Sequence, residues 1–229
     1  GNPLLDETKI DNFDLRIEHY PGLGEVVSAS LFFKRFTDPI EQTTVLEAVN
    51  TEYTWANVPY ANVLGLEFEG RKNLGSFHAS LSPFTLSANV TFIRSRAVIF
   101  EEELNVIRNT DPMHANTRPL FGQSPYIVNA MVNYQNDSLD FSASVAFNVQ
   151  GEQLILATIG GLPDIYQQPT PALDLTLTKN LGEHFGLRLR ARNLINPVDR
   201  KTYTFQGVSY DWLANTAGRN FALTLSYRI

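Results

Sequence analysis

Apolar and polar residues alternate in stretches of about ten residues, and the pattern returns about nine times. The last stretch, Asn220 to Ile229, is representative. Phe221, Leu223, Leu225, Tyr227 and Ile229 fall on one face, and Ala222, Thr224, Ser226 and Arg228 fall on the other. Strand side chains point to opposite faces with period two, so each stretch predicts a strand with one apolar and one small or polar face. The first strand carries Phe13, Leu15 and Ile17 against Asp14, Arg16 and Glu18. The second sets Val27, Ala29, Leu31 and Phe33 against Ser28, Ser30, Phe32 and Lys34. In the third, Leu64, Leu66 and Phe68 oppose Gly65, Glu67, Glu69 and Arg71. The fourth has Leu86, Ala88, Val90 and Phe92, and is expected to run to about Phe100. Tyr126 to Tyr134, Phe141 to Val149, Leu173 to Leu177 and Leu187 to Ala191 complete the set.

The connections alternate in length. Pro21 to Gly24, Asn136 to Ser138 and Leu181 to His184 are short turns, and Asn73 to Pro83 is intermediate. Residues 36–61, 101–124, 151–170 and 196–218 are expected to be long polar loops, the first acidic through Asp38, Glu41, Glu47 and Glu52 and the second through Glu101, Glu102 and Glu103. Gly1 to Lys9 reads as a further polar loop. Short turns on one side and long loops on the other are the rhythm of a transmembrane β-barrel. The long loops should then lie outside the cell, and the C-terminus on the periplasmic side.

A soluble sandwich also alternates, but the polar faces here could not form a dry core. Ser142, Ser144 and Ala146 lack bulk, and Arg188, Arg190 and Arg192 stand in a row. Such a row is prohibitive in a dry interior and ordinary in a wet or plugged lumen. Charged residues are 18% of the chain and mean hydropathy is −0.15. No run reaches the ~18 apolar residues of a membrane helix, and alternation explains how a membrane chain could average so polar. The net charge of −6 argues against a nucleic-acid partner. Cysteine is absent, which removes disulfides and thiolate metal sites. No signal peptide opens the chain, and Gly1 reads as a cut through something longer.

Several segments together resemble the C-terminal part of TonB-dependent outer-membrane receptors of the Bacteroidota type. Gly-Asn-Pro-Leu-Leu-Asp-Glu at the start is similar to that family's Asn-Pro-x-Leu-x-Pro-Glu, with Asp6 where proline is usual. Gly65-Leu66-Glu67-Phe68-Glu69 resembles its Gly-x-Glu-x-Glu strand. Arg118-Pro119 to Pro125-Tyr126 resembles its Arg-Pro-Leu-x-Gln-x-Pro-Tyr segment, and Arg192-Asn193-Leu194-Ile195-Asn196 its x-Asn-Leu-Phe-Asn segment. Gly218-Arg219 before the last strand also fits. One departure is Ile229, where the family ends on an aromatic.

The resemblance implies an all-β fold in which residues 1–229 supply about nine C-terminal strands of a 22-stranded barrel. The plug and the N-terminal strands would be partners supplied by the rest of the receptor. It implies residence in the bacterial outer membrane, contact with its lipid, engagement of the TonB complex through the plug, and a surface lipoprotein lid in some members. Its function would be energised import of a scarce ligand: a ferric siderophore, cobalamin, peptide or glycan. A passive porin is the alternative. An outer-membrane enzyme is a third, for which no convincing Ser-His pair is found.

No catalytic motif is present: neither Gly-x-Ser-x-Gly, nor a Walker loop, nor His-Glu-x-x-His. No cofactor is implied. His19, His78, His114 and His184 are scattered over turns and loops and read as solvated rather than metal-bound. Asn89-Val90-Thr91 falls inside a strand and is no sugar acceptor. The candidates for ligand contact are the loop aromatics Tyr53, Trp55, Tyr60, Tyr166, Tyr203, Phe205, Tyr210 and Trp212. Rigid amphipathic rings suit stacking on a chelate or sugar, and they equally suit an interfacial girdle or a staple between loops. Glu67, Glu69, Arg71, Arg188, Arg190 and Arg192 are expected to face the lumen, where they could grip the plug or line the ligand's path.

Overall fold

The computed structural model describes residues 2–45 and 52–228. Gly1, Glu47 and Ile229 lie outside the described residues, so the expectations placed on them are not addressed. In chain order the elements are β1 (Lys9–His19), β2 (Val26–Thr37), β3 (Ile40–Val45), β4 (Glu52–Asn57), β5 (Tyr60–Asn73) and β6 (Phe84–Val98). Helix α1 (Glu101–Arg108) is followed by β7 (Thr117–Arg118), β8 (Tyr126–Asn136), β9 (Phe141–Gln150), β10 (Gln153–Leu156) and β11 (Ile165–Gln167). The remainder is β12 (Ala172–Leu181), β13 (Phe185–Arg192), β14 (Asp199–Phe205), β15 (Val208–Asn215) and β16 (Asn220–Tyr227).

The nine alternating stretches form one antiparallel sheet in the order β1-β2-β5-β6-β8-β9-β12-β13-β16, with β7 appended to β6. Each long strand pairs with the next long strand along the chain, as a barrel wall requires. The register is staggered. One row of paired residues passes through Val26, Arg71, Ser87, Met131, Ala146 and Asp174. Val26 opens β2 just after a short turn, whereas Asp174 sits near the start of β12 just after a long connection. The row therefore climbs from the turn side to the loop side, which is the shear of tilted barrel strands.

The two faces follow the alternation. Leu64, Leu66 and Phe68 on β5 are exposed, while Gly65 between them is buried. A side chain on Gly65 would lie 2.2 Å from the Phe32 ring, which covers that glycine from the neighbouring strand. The polar face carries Ser, Thr and Asn in rows, with Asn148 donating to Asn129 across β8 and β9. At the turn side of the apolar face, aromatic rings meet at tilted angles. Phe84 and Tyr134 have centroids 4.9 Å apart, Tyr134 and Phe141 6.0 Å, and Phe185 and Tyr227 5.1 Å. Rings in such a row suit the level where hydrocarbon gives way to headgroups.

The connections depart from expectation. Residues 36–61 are not one long loop: β2 runs to Thr37, the hairpin β3–β4 follows, and β5 begins at Tyr60. Residues 101–124 open with α1, whose first turn carries Glu101, Glu102 and Glu103. Acidic groups there complement the unpaired N–H groups of the helix start, which explains the charge run read as loop. Residues 151–170 hold β10 and β11, and residues 196–218 hold the β14–β15 hairpin. That hairpin turns at Gln206-Gly207, both with positive φ (50° and 78°), the conformation of a two-residue I′ turn. Strands of three or four residues such as β11 and β10 are too short to register as alternation, and a bulge at Trp212, facing Lys201 and Thr202, breaks it in β15. The intermediate connection forms 3₁₀ turns at Leu74–Ser76 and Ala79–Leu81, capped by Asn73 and His78. β6 ends at Val98, before Phe100, and His19 is the last residue of β1 rather than part of a turn.

The loop-side strands assemble into a layer of their own. β10, β11, β14 and β15 form a four-stranded sheet, and the hairpin β3–β4 joins it where Ala157 donates its N–H to the Gln42 carbonyl at 3.0 Å. This layer buries apolar side chains in the usual way: Leu154, Leu156 and Ile165 are buried in it. A second small core, Val58, Ala61 and Ala97 with Phe36 and Leu120 packed on it, ties the layer to the tops of β5 and β6.

Candidate functional site

Glu41, Arg118 and Asp164 meet inside the loop layer, drawn from three separate connections. Glu41 is a β3 residue only 1% exposed. Its Oε2 accepts from an Arg118 Nη at 2.7 Å, and its Oε1 accepts from the Phe121 N–H at 3.3 Å. A second Arg118 nitrogen lies 3.5 Å from the Asp164 carboxylate, which also accepts from the Thr158 N–H at 2.9 Å. Burial drives the Asp164 carboxyl upward to about 6, and the opposing pull of Arg118 does not cancel it. Burial works against the Arg118 charge as well, but Asp164 and Glu41 together raise its pKa. The Tyr166 hydroxyl is likewise pushed up, by burial first and then by Asp164. A buried ion pair of this kind fixes geometry more than it adds stability.

Two clefts open beside this network. The larger, about 500 Å³, lies between the end of α1, the Gly161–Asp164 segment and the β14–β15 turn, with Tyr166 and Phe205 in its wall. His114 contributes there, its Nδ1 3.1 Å from Asp111 Oδ2. The smaller, about 350 Å³, is bounded by Gln42, Tyr53, Ile155, Gln167, Lys201 and Trp212. The Lys201 ammonium stands 5.9 Å from the Trp212 ring, so this cleft offers a cation beside aromatic faces. Among the described residues, no cluster of three or more His, Cys, Asp or Glu side chains is arranged to hold a metal.

The eight aromatic candidates thus divide. Tyr53 and Trp212 share one cleft and Tyr166 and Phe205 the other. Tyr203 and Tyr210 stack on each other across the hairpin, centroids 5.4 Å apart. Trp55 packs edge-on against Phe121 at 5.9 Å. Tyr60 stands apart from both clefts, on the same side of β5 as Leu64 and Leu66, with the Arg35 guanidinium 5.5 Å from its ring. In the sequence Glu41 reads as loop acidity and His114 as a solvated loop histidine, and Asp164 and Lys201 carry no local signal. Arg118 was visible as part of a motif, but its partners stand 77 and 46 positions away in the chain.

On the polar face of the main sheet, Glu69 pairs with Arg16 at 2.7 Å and Glu67 accepts from Asn89 at 2.5 Å. Arg71 borders a hollow walled by Thr85, Asn133, Ser144 and Thr176. Arg188, Arg190 and Arg192 lie on this same face, register partners of Thr224, Ala222 and Asn220 on β16. The six charged candidates therefore share one face, but the acidic pair and the arginine row stand on well-separated strands, β5 and β13.

The sequence matches the TonB dependent receptor-like, beta-barrel family over residues 1–194. The chain belongs to that family. Solved structures of receptors agree on the fold. The ferric yersiniabactin uptake receptor of Yersinia pestis superposes with a TM-score of 0.64 at 18% identity, covering 97% of this chain and 30% of that one. A ferric enterobactin receptor of Pseudomonas aeruginosa, in complex with enterobactin, gives 0.59 at 21% identity over 99% of this chain and 32% of that one. The siderophore receptor of Acinetobacter baumannii gives 0.60 at 15% identity, over 96% and 32%. This TonB-dependent receptor barrel chain thus spans about a third of the length of the solved structures it matches. No curated protein sequence matches it.

Proposed function

We propose that this chain is the nine-strand C-terminal part of an outer-membrane transporter that imports a scarce ligand with energy delivered through TonB. The remaining strands and the plug come from the rest of the protein, and the plug meets the TonB complex. The observation that carries the reading is the loop layer. It forms two clefts, one with Tyr53, Trp212 and Lys201 and one with Tyr166 and Phe205, on the loop side of a barrel wall. Family membership and the resemblance to siderophore receptors support a ferric siderophore as the first ligand to try. The inward Glu67, Glu69, Arg71, Arg188, Arg190 and Arg192 serve the plug as charge partners.

The test uses cells making the complete receptor, offered radiolabelled ferric enterobactin, ferric yersiniabactin and cobalamin in turn. One of them should enter saturably, and a protonophore should stop it. Trp212→Ala or Tyr166→Ala should weaken its binding about two- to thirteenfold, since an aromatic contact is worth about 0.5–1.5 kcal/mol. Non-saturable entry that continues with the protonophore would instead identify a passive channel.

A further inference from the structure

Three arginines stand on the wrong face for a lumen role. Arg35, Arg94 and Arg96 have the parity of Leu31, Leu66 and Phe92, so they project from the apolar side of the sheet, and all three are exposed. Their height follows from counting. On β6 the apolar run from Phe84 to Phe92 ends at Arg94, and on β2 the run above Glu25 ends at Arg35. Each spans ten residues. At about 3.4 Å per residue and a tilt of about 40°, that is roughly 25 Å, the height of the apolar band around a membrane barrel. Arg94 and Arg35 thus mark the loop-side rim of the hydrocarbon, and Arg96 lies one side-chain step beyond.

The three form a group. Arg35 pairs in register with Asn62, and Asn62 with Arg96, so they are two strands or roughly 10 Å apart, with Asn62 between them. Arg94 lies one step nearer the membrane, on the row of Leu64 and Phe33. Because the rows climb toward β6, Arg94 comes to nearly the height of Arg35. Among the described residues on this rim of β1, β2, β5 and β6, Asp11 opposite Arg35 is the one carboxylate, and Lys9 offsets it. The cationic patch is thus built into a chain of net charge −6. Among the described residues none of the three arginines forms an ion pair with an Asp or Glu.

We propose that Arg35, Arg94 and Arg96 bind the phosphate-bearing headgroup of a lipid in the outer leaflet, whose acyl chains lie below on Leu31, Leu64, Leu66 and Phe92. The arginine fork matches phosphate oxygens bidentately. Its position directly above an apolar wall selects a lipid over a free anion, because the same molecule satisfies both surfaces. Asn62 adds a donor between the charges, and the Tyr60 ring backs the Arg35 guanidinium.

The complete receptor in neutral detergent would be titrated with lipid A, dephosphorylated lipid A and inorganic phosphate, and bound molecules counted by native mass spectrometry. Lipid A should bind, the dephosphorylated form at least tenfold more weakly, and inorganic phosphate not at all. The triple variant Arg35→Gln, Arg94→Gln, Arg96→Gln should lose at least tenfold in lipid A affinity. The inward pair Arg188→Gln, Arg190→Gln should change it less than twofold. If the triple variant does not give a heat-modifiable barrel, the single variants Arg94→Gln and Arg96→Gln decide, each expected to weaken binding about threefold. Equal binding of both lipids, or unchanged affinity in the arginine variants, overturns the proposal. Competition by inorganic phosphate alone overturns the lipid assignment in favour of an anion site. Ligand uptake is not read, so failure here is separate from failure of the transport reading.

Discussion

The main sheet and the loop layer are built from the same strand alternation and put it to opposite use. In the sheet, the large apolar side chains are the exposed ones: Leu64, Leu66, Phe68, Leu86 and Val145 all face away from the protein. In the loop layer, Leu154, Leu156 and Ile165 are buried, as they would be in a water-soluble domain. The charges reverse likewise. Glu69 and Arg16 pair on an open polar face, whereas Glu41 and Arg118 pair where water is excluded. Solvent, not side-chain period, decides which face of a strand is the inside. The sheet is organised for lipid around it, and the layer for water around it.

The sharpest way to break this contrast is to remove one buried charge. Glu41→Ala in the complete receptor leaves Arg118 without its closest partner and Phe121 with an unpaired N–H. It should cost the loop layer about 3–5 kcal/mol, because an uncompensated charge remains buried. Hydrogen exchange over residues 118–124 and 151–166 would show it as faster opening, with β8 and β9 unaffected.

On the sheet the contrast is drawn between adjacent residues. Val145 projects from the apolar face of β9 and Ser144 from the polar face. Val145→Arg should cost about 2–4 kcal/mol if it meets the bilayer midplane, and Ser144→Arg close to nothing. Urea unfolding of the lipid-embedded receptor would measure both, and equal costs would contradict the assignment of faces.

Asp164 offers a smaller, pH-dependent test of the layer. Its carboxyl is raised from 3.8 to about 6 by burial. A raised acid binds its proton more tightly in the folded layer, so its contribution is complete below about pH 4 and lost as pH rises through about 6. The loss is at most about 3 kcal/mol. Opening of residues 158–166, corrected for intrinsic exchange, should become easier from pH 4.5 to 7.5. In Asp164→Asn that dependence should flatten.

Sequence alone makes the sheet legible because each of its nine long strands runs for eight residues or more, and its facing is local. The loop layer was illegible for the opposite reason. β10 and β11 are four and three residues long, and their stability comes from partners far away in the chain. Glu41 looks like solvated acidity until Arg118 and Phe121 are brought to it from 77 and 80 positions on. The aromatic candidates were visible as residue types, but their grouping into Tyr53 with Trp212 and Tyr166 with Phe205 depends on which short strands pair. The six charged candidates on the polar face follow from parity alone, whereas the pairing of Glu69 with Arg16 needs the register.

On this reading the loop layer and the short turns lie on opposite sides of a membrane. The chain contains no cysteine of its own, so single cysteines can report it directly in the complete receptor, with any cysteine elsewhere replaced. Asn105→Cys in α1 and Ser209→Cys in the β14–β15 hairpin are exposed positions of the layer; Leu23→Cys, Ser138→Cys and Glu183→Cys are exposed positions on the turns. An impermeant maleimide added to whole cells should label the first two, and the other three only after the outer membrane is opened. Labelling of both groups alike on whole cells would rule out that placement.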